Sequence, residues 1–75
     1  MIIGSISEDL NVEKRVAITP DIVKKYISLG LKVNLSKNYA SHIGINDNQY
    51  EIEGAKILPS NAEVISNSNA ILQMN

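Results

Sequence analysis

The sequence predicts an α/β fold in which four mostly parallel strands are combined with about three short helices. Short runs of branched aliphatic residues alternate with helix-start signals along the chain. The connections between these runs are long enough to return the chain to the same end of a sheet, as right-handed crossovers between parallel strands require. The hydrophobic content of 44% is that of a folded domain and excludes a disordered chain.

Two strands are predicted in the first half of the chain. Residues 1–6 form a short run rich in isoleucine, which favours a buried, central strand. Residues 7–18 follow no apolar period and are expected to form a loop. Residues 31–35 alternate apolar and polar side chains, which predicts a second strand near an edge of the sheet.

A helix is predicted between these strands, over about residues 20–29. Thr19 can accept a hydrogen bond from a backbone N–H of the first turn, and Pro20 is favoured at the first helical position because no hydrogen bond is lost there. Gly30 ends the apolar stripe at the position where helices often turn left-handed. Together these residues predict the first strand, helix and strand unit.

Two further helices and two further strands are predicted after a surface loop over residues 36–45. Asn46 and Ser60 each stand three residues before a Gln or Glu, which is the spacing of a capping box. Short strands are expected at residues 55–58 and 70–74. Three short helices cover a four-stranded sheet thinly, so we expect the unit to be truncated.

Length and charge exclude several classes of protein. Seventy-five residues are too few for a full-sized enzyme, and a chain without cysteine has no disulfide to raise its stability. A net charge of −1 without charged blocks removes the electrostatic basis for binding nucleic acid or an anionic membrane. The first apolar run has no basic region and is soon followed by Glu8 and Asp9, so neither a signal peptide nor a membrane span is expected.

Arg15 is the strongest candidate for a ligand-binding residue. It is the only arginine, it follows the first strand, and a guanidinium matches the geometry of a carboxylate or phosphate. The competing interpretation is a solvated or salt-bridged arginine. Ser5, Ser7 and Glu8 also follow this strand, at the edge where open α/β sheets hold ligands.

The remaining polar candidates are interpreted as surface residues. His42 is the only histidine and has no second ligand or nucleophile at an informative spacing. The adjacent carboxylates of Glu8 and Asp9 diverge in direction, and Lys24 and Lys25 lie on the polar face of the predicted helix. No glycine-rich phosphate loop, zinc motif or nucleophile elbow occurs in the sequence. We therefore predict no metal site.

Two blocks of sequence point to a known family. Residues 13–20 are Glu-Lys-Arg-Val-Ala-Ile-Thr-Pro, and residues 50–57 are Tyr-Glu-Ile-Glu-Gly-Ala-Lys-Ile. With the first strand and helix, they make the sequence resemble the N-terminal domain of alanine dehydrogenase and of the alpha subunit of the proton-translocating NAD(P) transhydrogenase. The resemblance implies part of a flavodoxin-like three-layer unit, with NAD(H) bound by a separate Rossmann domain that is absent here. We expect neither NAD(H) nor NADP(H) to bind this chain alone.

The resemblance also implies two substrate-binding residues. In alanine dehydrogenases, the arginine matching Arg15 and a lysine in the strand matching residues 70–74 hold the carboxylate and carbonyl of pyruvate. The family pattern Ile-Leu-Lys-Val corresponds to Ile-Leu-Gln-Met at residues 71–74, so Gln73 replaces a cation that polarises the carbonyl. Substrate binding is thus predicted for Arg15 and Gln73, and no catalytic residue is assigned.

Three functions remain open at this point. The preferred one is the N-terminal fragment of a transhydrogenase alpha subunit, inactive alone, because hydride transfer between NADH and NADP needs no pyruvate site. The second is a fragment of an alanine dehydrogenase or a related amino-acid dehydrogenase. The third is a non-catalytic remnant, or a module whose exposed fourth strand pairs with a separately encoded remainder.

The resemblance further implies the partners and location of the complete enzyme. We expect the rest of the alpha subunit, a membrane beta subunit and a homo-oligomeric assembly. The location is then cytoplasmic, with attachment to the inner membrane through partner subunits. Twelve Ile, nine Asn and six Lys against one Arg indicate an AT-rich bacterial gene.

Overall fold

A computed structural model describes residues 1–7 and 16–73 of the chain. Four strands lie in this part of the chain: β1 (Ile2–Ser5), β2 (Lys32–Ser36), β3 (Lys56–Leu58) and β4 (Ala70–Ile71). Three helices connect them: α1 (Pro20–Ser28), α2 (Asp47–Ile52) and α3 (Asn61–Ser66), with a 3₁₀ turn at Ser41–Ile43 before α2. The strand order is β3-β2-β1-β4 and every pairing is parallel, which confirms the predicted α/β class.

The helices begin where the capping signals predict. The Thr19 hydroxyl accepts a hydrogen bond from the N–H of Ile22, and Pro20 occupies the first turn of α1. At the start of α2, the Asn46 side chain accepts from the N–H of Gln49 at 3.1 Å, while the Asn46 N–H donates to the Gln49 side chain at 2.9 Å. Both bonds of the predicted capping box are therefore present.

The helices cover both faces of the sheet. Side chains alternate between faces along a strand, and Ile3, Val33 and Leu35 share one face with Val23 of α1. Gly4 and Asn34 are paired in register and point to the opposite face, where α3 packs. The result is the predicted three-layer arrangement, with β3 and β4 at the edges of the described sheet.

The predicted position of β2 near a sheet edge is wrong. The strand lies between β1 and β3, and all of its residues after Lys32 are buried. Asn34 produces the misleading alternation, because its amide is buried but donates to the Asn67 carbonyl at 3.2 Å and to the Ser68 hydroxyl at 3.4 Å. A polar residue in an interior strand is thus satisfied by the end of α3.

The segment after β2 is also more buried than a surface loop. Tyr39 and Ala40 are almost completely inaccessible to solvent and belong to the main core cluster. Only the residues of the following 3₁₀ turn lie exposed, as the prediction for residues 36–45 required. Tyr39 therefore anchors this segment against the sheet.

The helix α3 approaches β1 very closely at Gly4. A β-carbon added to Gly4 would lie 2.8 Å from the Ser68 β-carbon and 2.9 Å from the Val64 Cγ1 atom, and closer still to the Ser68 hydroxyl. These separations are shorter than any normal carbon contact. Only glycine at this position allows α3 to lie so near the strand.

Candidate functional site at the junction of β1 and β4

The sheet topology brings the two predicted site segments together. β1 is flanked by β2 on one side and β4 on the other, and such a reversal of strand order opens a crevice at the carboxyl ends of the strands. The loop that bears Arg15 follows β1, and Gln73 follows β4. Arg15, Glu8 and Asp9 lie outside the described residues, so the role of Arg15 stays a prediction.

Gln73 is bonded to the end of β1. Its side-chain oxygen accepts hydrogen bonds from the Ile6 N–H and the Ser5 hydroxyl, both at 2.8 Å, and its side-chain nitrogen donates to the Ile6 carbonyl at 3.1 Å. The amide thus pairs with both backbone groups of Ile6, as a neighbouring strand would. Its predicted binding of substrate stays a prediction, but a neutral amide held in this way does not supply the charge of a lysine.

Ser5 joins Gln73 to the core. It is fully buried, and its hydroxyl oxygen lies 2.6 Å from the Leu72 carbonyl, 2.8 Å from the Gln73 side-chain oxygen and 2.7 Å from the Tyr39 hydroxyl. A serine hydroxyl has one hydrogen, and the first two partners are acceptors. Ser5 therefore donates towards Leu72 and Gln73 and accepts from Tyr39.

Two buried tyrosines hold Ile18, three residues after Arg15. The Ile18 N–H donates to the Tyr39 hydroxyl at 3.2 Å, and the Tyr50 hydroxyl donates to the Ile18 carbonyl at 2.8 Å. The two rings meet edge to face, with centroids 5.7 Å apart and planes at 79°. Sequence analysis did not identify these tyrosines as part of the site, although a tyrosine in a loop of small polar residues is a signal that could have indicated Tyr39.

We expect Tyr50 to make the fold sensitive to alkaline pH. Burial raises the pKa of the Tyr50 hydroxyl well above its ordinary value near 10, and Tyr39 and Asp47 raise it further. The unfolded chain therefore loses this proton first, so the stabilisation by Tyr50 is complete below pH about 10 and falls as the pH rises above it. Urea unfolding between pH 7 and pH 11 measures this loss.

The variant Tyr50→Phe should show a shallower loss of unfolding free energy above pH about 10. At pH 7 it should be less stable by about 1–3 kcal/mol, because the buried Ile18 carbonyl loses its donor. The control Tyr26→Phe removes the same atom from a less buried side chain. Identical pH profiles for Tyr50→Phe and the unmodified chain would contradict the assignment.

The other candidate residues contribute no site within residues 1–7 and 16–73. His42 is exposed on the 3₁₀ turn, and Lys24 and Lys25 are exposed on α1, as interpreted from the sequence. The Ser7 N–H donates to the Ser36 hydroxyl at 3.1 Å and to the Asn61 side chain at 3.4 Å. This part of the chain contains no cluster of metal-binding side chains and encloses no pocket.

The glycines of the chain do not fit a dinucleotide cradle. Gly4 is covered by α3, so no phosphate can approach it from that side. The others have positive φ angles and end α1, the 3₁₀ turn and α2: Gly30, Gly44 and Gly54. All four glycines thus serve close packing or chain reversal. Among the described helices, none has the length and apolar character needed to cross a membrane.

Comparison with known proteins identifies the same two branches as the sequence motifs. An alanine dehydrogenase from Methanococcus maripaludis is 36% identical over 74 residues, covering 99% of this chain and 20% of the relative. An NAD(P) transhydrogenase alpha subunit from Rickettsia prowazekii is 32% identical over 74 residues, covering 99% of this chain and 19% of that protein. The two branches thus match over the same length and at similar identity.

Solved structures agree with this comparison. An L-alanine dehydrogenase superposes with a TM-score of 0.88 at 26% identity, over 97% of this chain and 20% of the other. A transhydrogenase from Sinorhizobium meliloti superposes with a TM-score of 0.85 at 30% identity, over 97% of this chain and 21% of the other. The chain spans about a fifth of the length of these relatives. The model of the family "Alanine dehydrogenase/PNT, N-terminal domain" matches residues 4–75, and the chain belongs to this family of oxidoreductase domains.

Proposed function

We propose that this chain supplies the N-terminal part of an NAD(P) transhydrogenase alpha subunit, which transfers hydride between NADH and NADP in the complete enzyme. Gln73 is the observation that supports this proposal. A neutral amide stands where the resemblance implies a lysine, and its oxygen and nitrogen are bonded to Ser5 and Ile6. A transhydrogenase has no pyruvate carbonyl to polarise, so this replacement is compatible with its reaction.

In this proposal the chain is a scaffold without activity of its own. NAD(H) is held by a Rossmann domain in the four fifths of the relatives that the chain does not match. The partners are the rest of the alpha subunit and a membrane beta subunit, within a homo-oligomeric enzyme on the cytoplasmic side of the inner membrane. Arg15 would bind an anionic group beside the junction of β1 and β4.

An alanine dehydrogenase is the second candidate. Its support is the 36% identity with the Methanococcus maripaludis enzyme over 74 residues. In that case Arg15 would bind the carboxylate of pyruvate, and Gln73 would have to approach the carbonyl without a positive charge. The bonds between Gln73 and Ile6 would then have to break during binding.

Two chimeras distinguish these functions. In the first, this chain replaces the matching residues of the Rickettsia prowazekii subunit, which is assembled with its other subunits and assayed for hydride transfer from NADH to NADP. In the second, the chain replaces the matching residues of the Methanococcus maripaludis alanine dehydrogenase. We expect activity in the first chimera and loss of pyruvate turnover in the second. The reverse pattern would favour alanine dehydrogenase.

The unmodified 75-residue chain provides a control for both chimeras. It should leave NADH fluorescence unchanged, and NADH should not raise its unfolding midpoint. Binding of NADH at micromolar affinity would contradict the assignment of the cofactor to another domain.

A further inference from the structure

We infer that Ser5 and Tyr39 form a positioning pair, which fixes residues 16–18 after Arg15 relative to Gln73 at the junction of β1 and β4. The functional meaning of this pair rests on the predicted roles of Arg15 and Gln73 in the proposed function. Its existence rests on geometry within residues 1–7 and 16–73.

The pair connects three segments that lie outside the regular elements. Ile18 precedes α1, Tyr39 follows β2 and Gln73 follows β4, so no strand pairing sets their relative positions. The two hydroxyls join them through β1, with 3.2 Å from Ile18 to Tyr39, 2.7 Å from Tyr39 to Ser5 and 2.8 Å from Ser5 to Gln73. These contacts are formed between residues 21, 34 and 68 positions apart in the sequence.

The hydroxyls are not required to fill the core. Alanine at position 5 and phenylalanine at position 39 would occupy nearly the same volume without any buried polar group. Ser5 and Tyr39 are instead almost fully buried, where a hydroxyl is costly unless it is bonded and where each bond polarises the next. Among the described residues, no buried side-chain nitrogen or oxygen lacks a partner. Such a network favours one geometry of the segments over others.

The test uses two variants of the isotopically labelled 75-residue chain, studied by NMR without any ligand. Ser5→Ala is observed at the Ile18 amide, which Ser5 reaches through Tyr39. Tyr39→Phe is observed at the Gln73 side-chain amide, which Tyr39 reaches through Ser5. We expect hydrogen exchange at Ile18 to become about tenfold faster in Ser5→Ala. We also expect a change in both proton shifts of the Gln73 amide in Tyr39→Phe.

Matched controls separate positioning from general destabilisation. Ser28→Ala and Tyr26→Phe remove the same atoms from α1 and should leave Ile18 and Gln73 unchanged. The amides of Val33 and Leu35 in β2 report opening of the whole sheet. A purely structural role would accelerate exchange at Ile18, Val33 and Leu35 together, whereas positioning affects Ile18 alone.

Two results would overturn the inference. One is an unchanged Ile18 amide in Ser5→Ala together with an unchanged Gln73 amide in Tyr39→Phe. The other is equal acceleration of exchange at every protected amide. If one variant fails to fold, the other still decides the question. No cofactor or turnover enters this experiment, so failure of the transhydrogenase chimera would leave its result intact.

Discussion

Replacing Gln73 with lysine in the alanine dehydrogenase chimera is expected to raise pyruvate turnover by about 100-fold or more. The neutral amide of Gln73 is bonded to Ser5 and Ile6 in this chain, so it supplies no charge to a substrate carbonyl. A lysine ammonium would stabilise the negative charge that develops on the carbonyl oxygen in the transition state. The measurement is kcat for pyruvate reduction with NADH and ammonium.

The control for this exchange is Gln73→Met. Methionine has a similar length and also abolishes the bonds to Ile6, but it carries no charge. We expect no gain in turnover from methionine, and little change in hydride transfer when lysine is placed in the transhydrogenase chimera. If lysine and methionine give equal turnover, Gln73 does not occupy the place of the family lysine.

Replacing Gly4 with alanine is expected to cause a large loss of stability. The added β-carbon would lie 2.8 Å from Ser68 Cβ and 2.9 Å from Val64 Cγ1, so α3 must move away from β1. Overpacking of this kind costs about 1–3 kcal/mol. That is a large share of the roughly 4–11 kcal/mol expected for a domain of this length. Urea unfolding monitored by circular dichroism measures the change.

Two further variants test the cause of this loss. Gly4→Ala combined with Ser68→Gly should recover part of the stability, because the nearest obstructing atoms are gone while Val64 remains. Gly30→Asn should cost less than about 1 kcal/mol, since asparagine tolerates a left-handed backbone. Gly30 has φ +85° and open space around its Cα. Equal losses for the Gly4 and Gly30 variants would argue against close packing of α3.

The local features of the fold could be predicted from the sequence. The starts of α1 and α2 depend on hydrogen bonds between residues three apart, so Thr19 and Asn46 reveal them directly. The position of β2 within the sheet could not be predicted in this way. It depends on Asn34 finding acceptors at Asn67 and Ser68, more than 30 residues further along the chain.

The site divides in the same manner. The family motifs and the strand order together place Gln73 at the carboxyl end of β1. The bonds from Tyr39 to Ser5 and Ile18 could not be foreseen, because a loop residue becomes buried only after distant segments have packed around it. Local patterns therefore predict which elements form, whereas the buried polar contacts depend on the assembled structure.

The amide of Gln73 also has a consequence for the evolution of this chain. Its oxygen and nitrogen cover the N–H and the carbonyl of Ile6, the two backbone groups just beyond the last residue of β1. A lysine has donors but no acceptor and would leave the Ile6 N–H uncovered. Uncovered backbone at the end of a sheet is a template for aggregation with other chains. A lineage that regained the lysine would therefore need a second substitution to protect this end of the sheet.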